Sequence, residues 1–186
     1  SLDGNALIEE FLHGYYGAAA GMILNYMRRV HDAAMRVKKY AGSQAIRTCL
    51  GKRGYPEGKV GAYLDLNAEP DAPWLTPKVV LDGLTDFAVA LKKTVGDWQV
   101  CARVAIARLP LEYCVLLRWD EMRAAARKMG HKWPLAASRA SAFEEFAAVC
   151  NACNITILGE EWSKRDLSWL KEVCVSGIEP KKESGI

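Results

Sequence analysis

The chain reads as an all-α protein: a helical bundle of about five helices with one long irregular segment at 41–75 and at most a minor strand pair. Three observations predict this. Apolar residues recur at three- and four-residue spacings along most of the sequence. Capping residues stand just ahead of those periodic runs. Glycine and proline gather between the runs, where they punctuate.

The first helical span runs from Asp3 to about residue 40. Asp3 or Asn5 caps it, and Glu9 and Glu10 lie toward the favourable N-terminal end of the helix dipole. Ile8, Phe11, Leu12 and Tyr15 mark one apolar stripe. Gly14 and Gly17 flank the Tyr15-Tyr16 pair and predict a break or bend there. Beyond it a second stripe runs through Ala20, Ile23, Met27, Val30, Ala34 and Val37, with Arg28, Arg29, Lys38 and Lys39 off the stripe.

Residues 41–75 lose this period and carry eight punctuating residues, among them Gly51, Gly54, Pro56, Pro70 and Pro73. Ala62-Tyr63-Leu64-Asp65-Leu66 forms a short strand or lies extended on the core. A structureless connection this long is unusual in a compact domain, and predicts a functional segment or one that packs against another part.

Thr76-Pro77 is a helix start, a capping hydroxyl followed by proline at the first helical position. Val80, Leu84, Phe87, Ala88 and Leu91 continue it, and Gly96 ends it. Asp97 caps a helix over 98–129 that carries Val104, Ala107, Leu111, Cys114, Val115 and Met122; Pro110 predicts a kink near Ile106 to Pro110. Gly130 and Pro134 close it. Ser141 and Glu144 have capping-box spacing for a helix over 141–153. Ile155-Thr156-Ile157-Leu158 is a strand-like piece, and Ser163 with Asp166 starts a helix over 163–174. Residues 1–178 thus form one helical domain, with a frayed tail at 179–186.

Composition narrows the function classes. About half of the 186 residues are hydrophobic (51%) and a quarter charged (25%), the balance of a globular protein able to bury a core without a metal or disulfide staple. A net charge of +3 gives no basic face for nucleic acid. No apolar run approaches the ~18 residues of a membrane span. No secretory leader is visible, but the chain opens on Ser1 close to a helix start, which predicts a piece of a longer protein. Six cysteines are too sparse for a disulfide scaffold. Cys101, Cys114, Cys150 and Cys174 have apolar helical neighbours, which predicts buried free thiols, with a disulfide as the alternative.

No catalytic constellation emerges. Cys150-Asn-Ala-Cys153 has metal-like spacing without a second ligand pair, and His13, His31 and His131 are scattered, so no metal or cofactor is assigned. The adjacent carboxylates Glu9-Glu10, Glu144-Glu145 and Glu160-Glu161 would point about 100° apart on a helix and cannot converge on one bond. Glu9 and His13 at i, i+4 suit a surface pair. No nucleophile elbow, phosphate loop or dinucleotide fingerprint occurs. Tyr55, Tyr63 and Trp74, all within 41–75, suit a domain contact, a core anchor or a sugar platform.

The run Glu10-Phe11-Leu12-His13-Gly14-Tyr15-Tyr16-Gly17-Ala18-Ala19-Ala20, followed by Tyr26, resembles a signature in the C-terminal helical region of an uncharacterised bacterial family of glycoside-hydrolase-like proteins. Its members carry a (β/α)-barrel followed by helices, a layout comparable to that of α-glucuronidases. Arg103 through Tyr113 is similar to that family's long distal helix, and the two matches frame most of residues 3–175.

The resemblance implies catalytic carboxylates on barrel strands that would lie before Ser1, and no position here matches a catalytic motif. It implies a non-catalytic scaffold or interface domain of a carbohydrate-processing protein, with the upstream barrel as partner, a homo-oligomer contact as a second role, and carbohydrate met only through the parent. The compartment is unknown, the implied parent being secreted or periplasmic. Tyr15, Tyr16, Tyr63 and Trp74 are the residues expected to face the barrel or its cleft; for Tyr15 and Tyr16 the alternative is a core anchor at the helix bend. The rival function is a free-standing helical protein–protein interaction module using the helices that start at 76 and 97. A third reading, a small enzyme built on Cys150 or Cys153, lacks a base.

Overall fold

The computed structural model describes residues 3–39, 70, 72–158 and 165–176. The described elements, in order, are α1 (Gly4–Tyr16), a 3-10 turn (Gly17–Ala19), α2 (Ala20–Lys39), α3 (Pro77–Lys93), α4 (Trp98–Leu117), α5 (Trp119–Met129), α6 (Arg139–Ala152) and α7 (Leu167–Ser176). The all-α bundle is therefore the fold. Among the described residues the strand-like pieces amount to one antiparallel bridge, Ile157 with Asp166. Most of the irregular 41–75 segment, with Tyr55, Tyr63 and the 62–66 piece, lies outside the described residues, as do Ser163 and the tail.

Local chemistry sets the helix ends. Asp3 caps α1 by accepting from Asn5 N–H at 3.0 Å, Thr76 caps α3 ahead of Pro77, and Asp97 caps α4 by accepting from Val100 N–H at 3.0 Å. Gly130 ends α5 in the left-handed region (φ 63), and His131 N–H reaches back to Ala126 O at 2.8 Å. The first span breaks where the glycines predict: Gly17 takes φ 49, a value that suits a residue without a Cβ, and a 3-10 turn joins α1 to α2.

Three expectations are corrected. The helix containing Pro110 continues as α4 to Leu117, and the break comes at Arg118 instead. Proline frees the carbonyl one turn earlier, at Ile106, and both residues are on the exposed side, where water can satisfy that oxygen. The cap of α6 is Ser138, whose Oγ accepts from Ser141 N–H at 3.0 Å, so the Ser141–Glu144 spacing falls inside the helix. Asp166 accepts from Trp169 N–H at 2.8 Å, so α7 starts at Leu167 rather than 163.

Helix α3 lies at the centre. Val80, Leu81, Leu84, Phe87 and Ala90 are fully buried, and the helix packs against α2, α4, α5 and the 3-10 turn. Contact with α2 passes through Tyr26 and Phe87, rings 5.1 Å apart. It is closest at Gly83, where an added Cβ would stand 2.9 Å from both Leu111 Cδ1 and the Tyr26 ring. Helices α6 and α7 close the far side of α4 with Phe143, Phe146, Cys150, Leu170 and Cys174.

Arg118, at the α4–α5 break, binds the chain that leads into α3. Its Nη1 donates to Pro70 O (2.9 Å) and Leu75 O (2.6 Å), while Nε and Nη2 fork onto the Glu121 carboxylate at 2.9 and 2.7 Å. Cys114 Sγ also donates to Pro70 O at 3.0 Å.

Two outcomes follow for stability. Gly83→Ala gains up to about 1 kcal/mol of helix propensity but overpacks a closed contact at about 1–3 kcal/mol. A net loss, visible as a lower thermal midpoint, is expected, and Gly83→Val should lose more. Arg118→Ala should cost about 2–3 kcal/mol in chemical denaturation because two carbonyls lose a charged donor. Arg118→Lys should recover only part of this, since an ammonium cannot fork.

Candidate functional site

Helix α1 carries two parallel apolar stripes, each of residues four apart: Leu7, Phe11, Tyr15 and Ile8, Leu12, Tyr16. The second stripe turns toward the bundle, where Leu12 is buried and Tyr16 packs against the core. The first faces outward. Phe11 is 61% exposed, Leu7 47% and Tyr15 40%, and Ile8 of the second stripe is exposed as well, at 42%. Sequence periodicity assigned Ile8, Phe11, Leu12 and Tyr15 to one stripe. The apolar arc of α1 is in fact twice as wide as one buried face requires, and that width is the signal in the sequence that marks an exposed surface.

The outward stripe is ordered. Phe11 and Tyr15 stack at 5.4 Å, and Tyr15 meets Tyr16 edge-on at 4.9 Å. Arg103 of α4 lays its guanidinium 4.4 Å over the Tyr15 ring and donates from Nη1 to Tyr15 O at 2.9 Å, which also occupies a C-terminal carbonyl of α1. On the other side Arg28 of α2 pairs with Glu9 at 2.8 Å. The Glu9–His13 pair suggested by spacing gives way to this interhelical one.

Beneath α1 lies an apolar groove of about 470 Å³. Leu7, Ile8, Phe11, Tyr16, Met27 and Ala107 form its walls, Tyr26 and Phe87 belong to its lining too, and no charged side chain lines it. Burial raises the Tyr16 hydroxyl above its usual range; the Tyr15 hydroxyl adds to this and the Arg103 charge opposes it. Tyr26 is likewise raised by burial.

A second groove, of about 530 Å³, runs between α2 and the start of α3. Arg28, Arg29, Arg36 and Lys78 line it together with Asp32, Asp82 and Trp74. Its charges are largely spent within the protein. Arg29 forks onto Asp82 (3.1 Å) and Asp86 (3.0 Å), and Lys78 reaches Asp82 at 2.7 Å. His131 stands 3.4 Å from the other Asp82 oxygen. This groove is an ion-pair network that fastens α2 and the loop after α5 to α3.

The residues expected at an interface are thus spread out. Tyr15 stands on the exposed stripe, Tyr16 lines the apolar groove with its ring against the core, and half-buried Trp74 lines the charged groove. Tyr63 lies outside the described residues. Leu7, which the sequence analysis did not name, and Phe11, which it placed on the apolar stripe but not at an interface, are the larger part of the exposed stripe.

Five of the six cysteines lie among the described residues. Cys114, Cys150 and Cys174 are buried, Cys101 and Cys153 are half-buried, and all five are free. Burial pushes the Cys150 thiol up to about 11, helped by the Glu112 carboxylate and Cys153, so it stays protonated at neutral pH. Glu112 is itself raised by burial against the pull of Arg108, its ion-pair partner at 3.0 Å. Among the described residues no three His, Cys, Asp or Glu side chains cluster as metal ligands, and no described helix is long and apolar enough to cross a membrane.

Iodoacetamide at mildly alkaline pH should therefore alkylate Cys153 well before Cys150 in the folded chain, with the order lost in denaturant; peptide mass spectrometry reads both. No family model, curated protein or solved structure matches the chain.

Proposed function

We propose that the chain is a non-catalytic helical scaffold or interface domain of a glycoside-hydrolase-like, carbohydrate-processing protein, and that it docks through the outward stripe of α1. The observation that carries the docking is the ordered apolar ridge Leu7–Phe11–Tyr15, exposed on a helix that already meets the core through Leu12 and Tyr16. A contiguous apolar patch of this kind is the usual mark of a contact surface. Phe, Tyr and Arg grouped together are the residue types that anchor interfaces. The assignment to a carbohydrate-processing parent rests on the resemblance of residues 10–20 and 103–113 alone.

A free-standing interaction module remains the second reading, and α1 favours one form of it. Most of the large apolar residues of α3 and α4 are turned into the core, whereas α1 keeps a continuous stripe exposed, so the α1 stripe is the better surface for such a module. Reading the coding sequence upstream of Ser1 separates the two: a barrel with strand-end carboxylates supports the first, and an unrelated upstream region supports the second.

On the chain itself, the exposed ridge should drive concentration-dependent self-association in sedimentation velocity, since burying apolar area returns roughly 25 cal/mol per Å² before association costs. Phe11→Ser should abolish this and leave the helical circular dichroism and thermal midpoint nearly unchanged. A wild-type chain that stays monomeric at all concentrations and binds no apolar dye would overturn the docking role.

A further inference from the structure

We propose that the groove beneath α1 receives an apolar segment of a partner protein that bears a carboxylate beside its anchor residue, and that this carboxylate pairs with Arg103. The inference rests on the docking role of the α1 face and adds the chemistry of what docks.

The groove selects the anchor. Its lining holds no charged side chain, and its polar atoms are confined to the Tyr16 and Tyr26 hydroxyls and backbone, so a large aliphatic or aromatic side chain fits where a charged one would be stranded. The rim selects the charge. Arg103 precedes the groove residue Ala107 by one turn of α4, and it lies close enough to the groove residue Tyr16 for its charge to act on that hydroxyl. Its guanidinium is held rigid by the Tyr15 ring and the Tyr15 carbonyl, which occupy one face and Nη1.

Its remaining donors make no ion pair among the described residues, whereas Arg28, the sequence neighbour of the groove residue Met27, is already paired with Glu9. The uncompensated charge at the groove is therefore positive. It also reaches the interior, because the Arg103 charge opposes the rise of the Tyr16 hydroxyl that lines the groove. A pre-ordered guanidinium with a free edge favours a carboxylate, which it can bind through paired hydrogen bonds. An amphipathic helix with apolar residues three or four apart and an acidic residue on its flank presents this pattern.

A phage-displayed library of randomised peptides, selected on the full chain, is the probe. Wild type should enrich peptides with two large apolar residues at i, i+3 or i, i+4 and an adjacent Asp or Glu. A selected peptide should bind Arg103→Gln about tenfold more weakly, the size of one charged contact. Selection on Arg103→Glu should exchange the acidic preference for Lys or Arg, and circular dichroism confirms that each variant is folded. Apolar peptides enriched without an acidic preference, or an acidic preference that survives Arg103→Glu, would overturn the inference while the docking role stands. Absence of any enrichment dependent on Phe11 would overturn both.

Discussion

The bundle depends on one close contact. At Gly83 the central helix α3 has no side chain, and the Tyr26 ring and Leu111 occupy the space a Cβ would need. That lets α2 and α4 close on α3 from two sides. It also sets where the rest can go: α1 follows α2 through the 3-10 turn, α5 follows α4 past Arg118, and α6 and α7 lie on the remaining side of α4. A core held by interdigitation at native density tolerates little change in volume at such a point.

Polar groups then reinforce an arrangement already set by packing. Asp82 receives Arg29, Lys78 and His131 from three parts of the chain, and Arg118 gathers two backbone carbonyls and Glu121. The Cys150 thiol and the Glu112 carboxyl are both shifted by burial toward their neutral forms, as a low-dielectric site dictates. On α1 the bundle presents an apolar stripe outward, and there the stacked rings of Phe11 and Tyr15 and the guanidinium of Arg103 hold one another in place.

The same helix shows where sequence reading succeeds and stops. The break at Gly17, the caps at Asp3, Thr76 and Asp97, and the left-handed Gly130 were legible because each depends on a residue and its immediate neighbours. The break at Arg118 was not legible, because no glycine or proline marks it and the carbonyls that Arg118 binds, those of Pro70 and Leu75, come from another part of the chain. Tyr15 was named as an interface candidate through the resemblance alone, and its flanking glycines predicted only the bend. Its association with Phe11 and Arg103 was not legible, because Arg103 is far along the chain and arrives only when α4 packs against α1.

The amino-acid sequence by itself determined that this protein is helical and where most of its helices start and stop. Those properties follow from propensity, capping and periodicity, which act over a few residues. Tertiary structure decided how the two apolar stripes of α1 divide between core and surface, which cations are neutralised and which stay free, and which thiols are buried. Burial and pairing are properties of the space between helices, and that space exists only after α2 and α4 have closed around Gly83.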